Sequence, residues 1–346
     1  IKGVQSKNIG TSIKHFAANN QEYRRMSCSS EMDERTFREI YLGAFETAIK
    51  EGKPDTVMCS YNQINGEFAS ENHKLLTEIL RDEWGFEGYV MSDWGAVNER
   101  VKGLAAGLDL EMPGSGGYTD KEIVEAVKNG TLDEQVLDTA VERILNIIFK
   151  YTDIRQPGRF DLAEDHKLAV RIAEESMVLL KNDGILPLKT EGQKIAFIGK
   201  FAKNPRFQGG GSSHINSFKV ESALDAVKEY TEVTYAQGYD VKEDKIEEAM
   251  LKEAVETAKA ADVAVIFAGL PDAFESEGYD REHMAMPNCQ NILIEEILKV
   301  QPNVVVVLHN GSPVEMPWAD QVKGILEAYL CGQGAGAAEA AILFGK

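Results

Sequence analysis

Short apolar runs alternate with longer stretches of helical period through the first part of the chain. Thr11–Ala17, Thr56–Tyr61, Gly88–Ser92 and Leu108–Met112 read as strands, each bounded by turn-forming or polar residues. Helices are expected at Asp33–Glu51, capped by Asp33, and at Ser70–Trp84, capped by Ser70 with Gly85 just past its end. Three more follow at Ala96–Ala106, Asp120–Asn129 and Asp133–Lys150. The strands are nearly continuous in apolar residues, as expected when both faces of a parallel sheet are covered. A barrel and an open, doubly wound sheet both fit this alternation. Polar residues at the strand ends tip the balance: His15, Asn62 and Asp93 occupy positions that face the active site of a TIM barrel.

Residues 151–193 read as a linker around one helical segment, Ala163–Leu180, with Pro157, Gly158 and Pro187 as punctuation. Alternation then restarts, with strands at Ile195–Ile198, Glu232–Ala236, Ala264–Ala268, Val304–Leu308 and Ile325–Leu330. Helices are expected at Val220–Tyr230, Lys242–Ala261, Asn291–Val300 and Gly334–Phe344. The fold class is therefore α/β. Residues 1–150 hold only about half of the eight βα units of a barrel, and are expected to form the C-terminal half of a (β/α)8 TIM-like barrel. Residues 194–346 are expected to form an α/β sandwich, truncated at its C-terminal end.

The chain has 346 residues, enough for two domains, and carries a net charge of -19. So acidic a surface repels phosphate backbones and anionic membranes, so neither nucleic acid nor a membrane is expected as a partner. A neutral sugar is compatible with it. The longest apolar runs are strand-sized, far below the ~20 residues that span a bilayer. Cysteines 28, 59, 289 and 331 lack metal or redox spacing and read as free thiols of a reducing compartment, which places the protein in the cytoplasm. No metal or cofactor is implied, and homo-oligomerisation is left open.

In Gly88-Tyr-Val-Met-Ser-Asp93-Trp94, an apolar strand delivers a carboxylate and then an indole at its tip. An aspartate there often serves only to cap the next helix. The adjacent Trp94 offers a stacking platform for the apolar face of a sugar, beside a carboxylate suited to attack an anomeric carbon. Lys14, His15 and Arg25 supply donors for hydroxyls, and the Tyr61 hydroxyl could bond a nearby carboxylate. Far along the chain, Phe274–Glu282 is a dense acidic loop after a strand. It reads either as a solvated charge run or as the source of a second carboxyl group. Retaining glycoside hydrolysis needs one about 5–5.5 Å from the first. The Gly209–Ser213 loop lacks phosphate-binding spacing and reads as a close-approach loop.

Together these pieces resemble glycoside hydrolase family 3, the β-glucosidase family. They are Lys14-His15-Phe16, Asn19-Asn20-Gln21-Glu22, Met58-Cys-Ser-Tyr61-Asn62, Ser92-Asp93-Trp94, Leu110-Glu-Met-Pro113, the Gly209–Ser213 loop and Ser276-Glu277-Gly278-Tyr-Asp-Arg281. The resemblance implies Asp93 as nucleophile and Glu277 as acid/base, with Glu275 as the fallback. It also implies that Lys14, His15, Arg25, Tyr61, Trp94 and Ser212 hold the terminal sugar, in a cleft between barrel and sandwich. The implied activity is retaining exo-hydrolysis of β-glucosides, the substrate being an oligosaccharide or glycoside. β-Xylosidase or α-arabinofuranosidase activity and non-catalytic sugar binding are the alternatives. Family members carry an Asp and an Arg on earlier barrel strands, so the chain is expected to be partial, lacking the first part of the barrel and the C-terminal domain. Relatives that release N-acetylglucosamine have a Pro-Gly-His-Gly type loop after Lys-His-Phe; Ala17-Ala-Asn-Asn-Gln21 stands there instead.

Overall fold

The computed structural model describes residues 1–154 and 158–346, which form two units, Ile1–Gly158 and Arg159–Lys346. Pro157, part of the expected linker, lies outside the described residues.

The first unit contains strands β1 (Ser12–Phe16), β2 (Ser29–Ser30), β3 (Thr56–Cys59), β4 (Gln63–Ile64), β5 (Glu67–Phe68) and β6 (Tyr89–Met91). β1, β3 and β6 form a parallel sheet in chain order. Leu110 continues that order through a parallel bridge to Met91, which is all that forms of the expected strand Leu108–Met112. β2, β4 and β5 make a small separate sheet. β3 is buried along its whole length, its polar first residue Thr56 included, as expected of a strand covered on both faces. Phe16, Leu42, Val57, Leu76, Leu80 and Val90 fill the space between strands and helices.

Helical segments cover residues 34–52, and Asp33 accepts a hydrogen bond from the Thr36 N–H at 2.7 Å, the expected cap. The helix Lys74–Glu83 begins later than its sequence suggests. Ser70 is not its cap, because its hydroxyl donates to the Ala96 carbonyl at 2.9 Å. Asn72 takes over, its Oδ1 accepting from the Leu75 N–H at 2.9 Å. Helices Arg100–Ala106, Tyr118–Lys128 and Glu134–Ile154 follow.

The second unit is built on six strands: β7 (Val178–Asn182), β8 (Ile195–Ile198), β9 (Val233–Ala236), β10 (Val263–Gly269), β11 (Val304–His309) and β12 (Gly324–Glu327). Their order is β7-β12-β11-β10-β8-β9, all parallel except β7, which pairs antiparallel with β12. β8, β10, β11 and β12 are buried throughout. Its longer helices are Leu162–Ser176, Glu248–Lys259, Asn288–Leu298 and Ala335–Leu343, and the expected helix Val220–Tyr230 shortens to Ala223–Ala226 with one further turn. The expected helix Ala163–Leu180 thus stops at Ser176, and its last apolar residues become the edge strand β7.

Glu327, at the end of β12, is buried, and its carboxyl is pushed up to about 7 by that burial, against hydrogen bonds from the Tyr329 N–H and Asn310, with the Glu275 charge adding to the rise. A raised carboxyl favours its protonated form in the fold. Stability is then greatest below the ordinary carboxylate range and declines as pH rises toward about 7. Glu327→Gln is expected to raise the melting temperature at about pH 8 while leaving it nearly unchanged at about pH 5. Thermal unfolding of the full-length protein at both pH values checks this; an equal effect at each would remove the charge as its cause. Among the described residues, no helix is long and apolar enough to cross a membrane.

Candidate active site

In the first unit the polar strand ends converge. Asp93 follows β6 and is only 8% exposed. Its Oδ1 accepts the Trp94 N–H at 2.7 Å, and its Oδ2 lies 3.4 Å from Nε2 of His15 on β1. β3 lies between β1 and β6 in the sheet, and the strand-end arrangement brings His15 to Asp93 across it. Tyr61, just past β3, donates its hydroxyl to the Trp94 carbonyl at 3.0 Å. That bond goes to backbone, not to a carboxylate. The Arg25 guanidinium stands 4.8 Å from the centre of the Tyr61 ring and is paired to Glu22 at 2.9 Å. Trp94 is half exposed, and Lys14, in the middle of β1, is exposed.

Two neighbours are structural. Ser92 donates its hydroxyl to the Met112 carbonyl at 3.1 Å and accepts the Met112 N–H at 2.8 Å, fixing the backbone immediately before Asp93. Asn62 spends its amide on Ala17, Ser30 and Gln63. It ties the loops after β1 and β3 together and belongs to the scaffold.

In the second unit, residues 270–282 follow β10. Glu277 Oε2 accepts two hydrogen bonds from Ser212, from its N–H at 2.6 Å and from its hydroxyl at 2.5 Å. The preceding glycines let this loop approach. A Cβ at Gly211, where φ is +91°, would lie 2.6 Å from Glu277 Oε2, and one at Gly210 would collide with Ser276. Glu275 is held differently. Arg206 reaches its Oε2 at 2.8 Å, and the Gly311 N–H reaches the same oxygen at 2.9 Å. Burial works to raise this carboxyl, but hydrogen bonds from Ser312 and Gly311 and the Arg206 charge outweigh it and keep it below its ordinary value. Arg281 donates to the Ser312 hydroxyl and the Pro313 carbonyl, so it fastens the loop to the segment after β11.

Sequence reasoning missed Arg206 and Gly311, and it quoted Glu22 without reading its pairing to Arg25, which the three-residue spacing could have shown. Arg206 could not have been found, since its carboxylate partners stand 66 and 69 residues away. The four cysteines are free. Among the described residues, no three His, Cys, Asp or Glu side chains gather to hold a metal ion.

Residues 1–147 match the glycosyl hydrolase family 3 N terminal domain, and residues 177–346 match the family's C-terminal domain. The chain belongs to glycosyl hydrolase family 3. It is 55% identical over 352 residues to the thermostable beta-glucosidase B of Acetivibrio thermocellus, covering 100% of this chain and 46% of that protein. It is 48% identical to the exo-alpha-(1->6)-L-arabinopyranosidase of Bifidobacterium longum, over 100% of this chain and 47% of the relative. Among solved structures, the beta-glucosidase of Bifidobacterium adolescentis superposes with a TM-score of 0.94 at 48% identity, covering 99% of this chain and 51% of that one. Beta-glucosidase 3B from Thermotoga neapolitana, in complex with α-D-glucose, gives a TM-score of 0.89 at 36% identity, covering 99% and 53%. The chain therefore spans about half the length of these family 3 relatives.

Proposed function

We propose that this chain is part of a retaining, exo-acting β-glycosidase, a β-glucosidase, with Asp93 as nucleophile and Glu277 as acid/base. The observation that carries the reading is the Asp93 carboxylate at the tip of β6. It is fixed by the Trp94 N–H and flanked by His15, with the open indole of Trp94 beside it. Lys14, His15, Arg25, Tyr61, Trp94 and Ser212 hold the terminal sugar. The chain-order pairing of β1, β3, β6 and Leu110 supports reading residues 1–150 as half of an eight-stranded barrel. The six-stranded sheet of the second unit supports a sandwich over 194–346, to which β7, from the stretch expected as a linker, adds an edge strand. The free thiols support a cytoplasmic setting.

In the first step an Asp93 oxygen attacks the anomeric carbon as the bond to the aglycone oxygen breaks, and Glu277 gives that oxygen its proton. The product is a glycosyl ester on Asp93. In the second step the Glu277 carboxylate takes a proton from water. The resulting oxygen attacks the same carbon and frees Asp93, so the sugar leaves with its configuration retained. The Ser212 bonds to Glu277 hold its carboxyl in one orientation through both steps. Neither step calls for a cofactor.

The test is turnover by the full-length gene product of aryl β-glucoside, β-xyloside, α-L-arabinofuranoside and α-L-arabinopyranoside. The 55% identity to a beta-glucosidase supports a preference for β-glucoside. Preference for an arabinopyranoside would reassign the sugar, and no turnover of any of the four would overturn the hydrolase reading.

A further inference from the structure

We infer that Arg206 is a positioning residue for the acid/base loop, gripping residues 270–275 so that Glu277 is presented in one place. The inference rests on the proposal that Glu277 is the acid/base. Arg206 is buried at 7% exposure, and every nitrogen of its guanidinium is spent on this one segment. Nε donates to Asp272 at 3.1 Å, Nη1 to the Leu270 carbonyl and to Glu275 Oε2, and Nη2 to the Glu275 carbonyl at 2.6 Å. The planar fork of an arginine satisfied in this way admits a single arrangement of the chain it holds.

Two residues beyond this anchor stands Glu277, and six residues beyond Arg206 stands Ser212, which bonds it. The stretch 206–212 thus grips 270–277 at both ends. Arg206 is itself held from behind. His309, the last residue of β11, makes a hydrogen bond to the Arg206 backbone, and its Nε2 faces Glu339 at 3.4 Å in the fully buried interior. Burial lowers the imidazole to about 4 and raises the Glu339 carboxyl well above its ordinary value, so it works against charge on either group. The Arg206 charge is answered on its loop side, by Glu275 and Asp272.

An acid/base displaced by about 1 Å can lose on the order of a hundredfold in rate. The loss falls on substrates whose leaving group must be protonated and spares those whose leaving group departs as a stable anion. In the full-length enzyme, Arg206→Met is expected to lower kcat/KM for an alkyl β-glucoside on the order of a hundredfold, but for dinitrophenyl β-glucoside by less than about threefold. The basic limb of its kcat/KM pH profile is expected to move, and Arg206→Lys to recover part of the loss. Equal loss on both substrates with an unmoved pH profile would overturn the inference, leaving Arg206 a purely structural arginine. Glu275→Gln serves where Arg206→Met fails to fold. It removes the charge from the clamp but keeps the backbone bonds, and the same leaving-group dependence is expected of it. Glu277→Gln is the independent control: if it still turns over the alkyl glucoside, the acid/base assignment fails, whatever Arg206 does.

Discussion

Asp93→Asn is expected to lower kcat on aryl β-glucoside by about ten-thousand-fold or more in the full-length protein, with a melting temperature close to that of the wild type. The amide is nearly isosteric with the carboxylate and keeps an oxygen to accept the Trp94 N–H, so the turn after β6 has no reason to change. What disappears is the anionic oxygen that forms the ester. Stereochemistry gives a sharper reading. With Asp93→Ala and added azide, the azide enters the space the carboxylate vacated and attacks from that face, so the product is an α-glycosyl azide. A β-azide, or wild-type turnover by the asparagine variant, would remove Asp93 from the nucleophile's role.

Glu277→Ala is expected to lower hydrolysis of an alkyl β-glucoside by roughly a hundred- to ten-thousand-fold, the range that a positioned proton donor contributes. Dinitrophenyl β-glucoside should still form its glycosyl-enzyme, because that leaving group needs no proton. The second step then stalls without a base, and a burst of dinitrophenol precedes slow turnover. Azide requires no base, attacks the intermediate from the opposite face and gives a β-glycosyl azide. The two alanine variants are thus predicted to yield azides of opposite configuration. If Glu275→Ala rather than Glu277→Ala shows this behaviour, the two glutamates exchange roles. Its contacts with Arg206 and Gly311 argue against that, since they keep Glu275 ionised and unable to donate a proton.

Much of the scaffold was legible because its causes are local. Asp33 caps a helix through an N–H three residues away, and β10 announces itself as an unbroken apolar run. Local signals fail where a distant partner competes. Ser70 has the right chemistry for a cap, yet its hydroxyl is drawn to Ala96, 26 residues on. Val178–Leu180 extends a helical pattern, yet it pairs with β12. The candidate site divides in the same way. Asp93, His15 and Tyr61 could be read from strand ends, since a parallel sheet delivers all its C-terminal tips to one edge. The clamp on the acidic loop could not, because nothing near Asn204-Pro-Arg206 hints at Glu275. An exposed arginine and a buried one look alike in sequence.

The edge strand β7 has a consequence for how the second unit is made. Its partner β12 begins at Gly324, whose register mate is Asn182, and Lys181 donates to the Ala319 carbonyl across 138 residues of chain. β10 and β11 can zip together over a much shorter loop, from Ala264 paired with Val304. Loop closure favours the shorter pairing first, so the sheet grows outward from its centre. On a ribosome, β7 leaves the exit tunnel long before anything exists for it to pair with. Half-exposed Val178, Leu179 and Leu180 must wait in water until nearly the whole unit has been synthesised, and during that interval this short apolar stretch is open to chaperones and to other nascent chains.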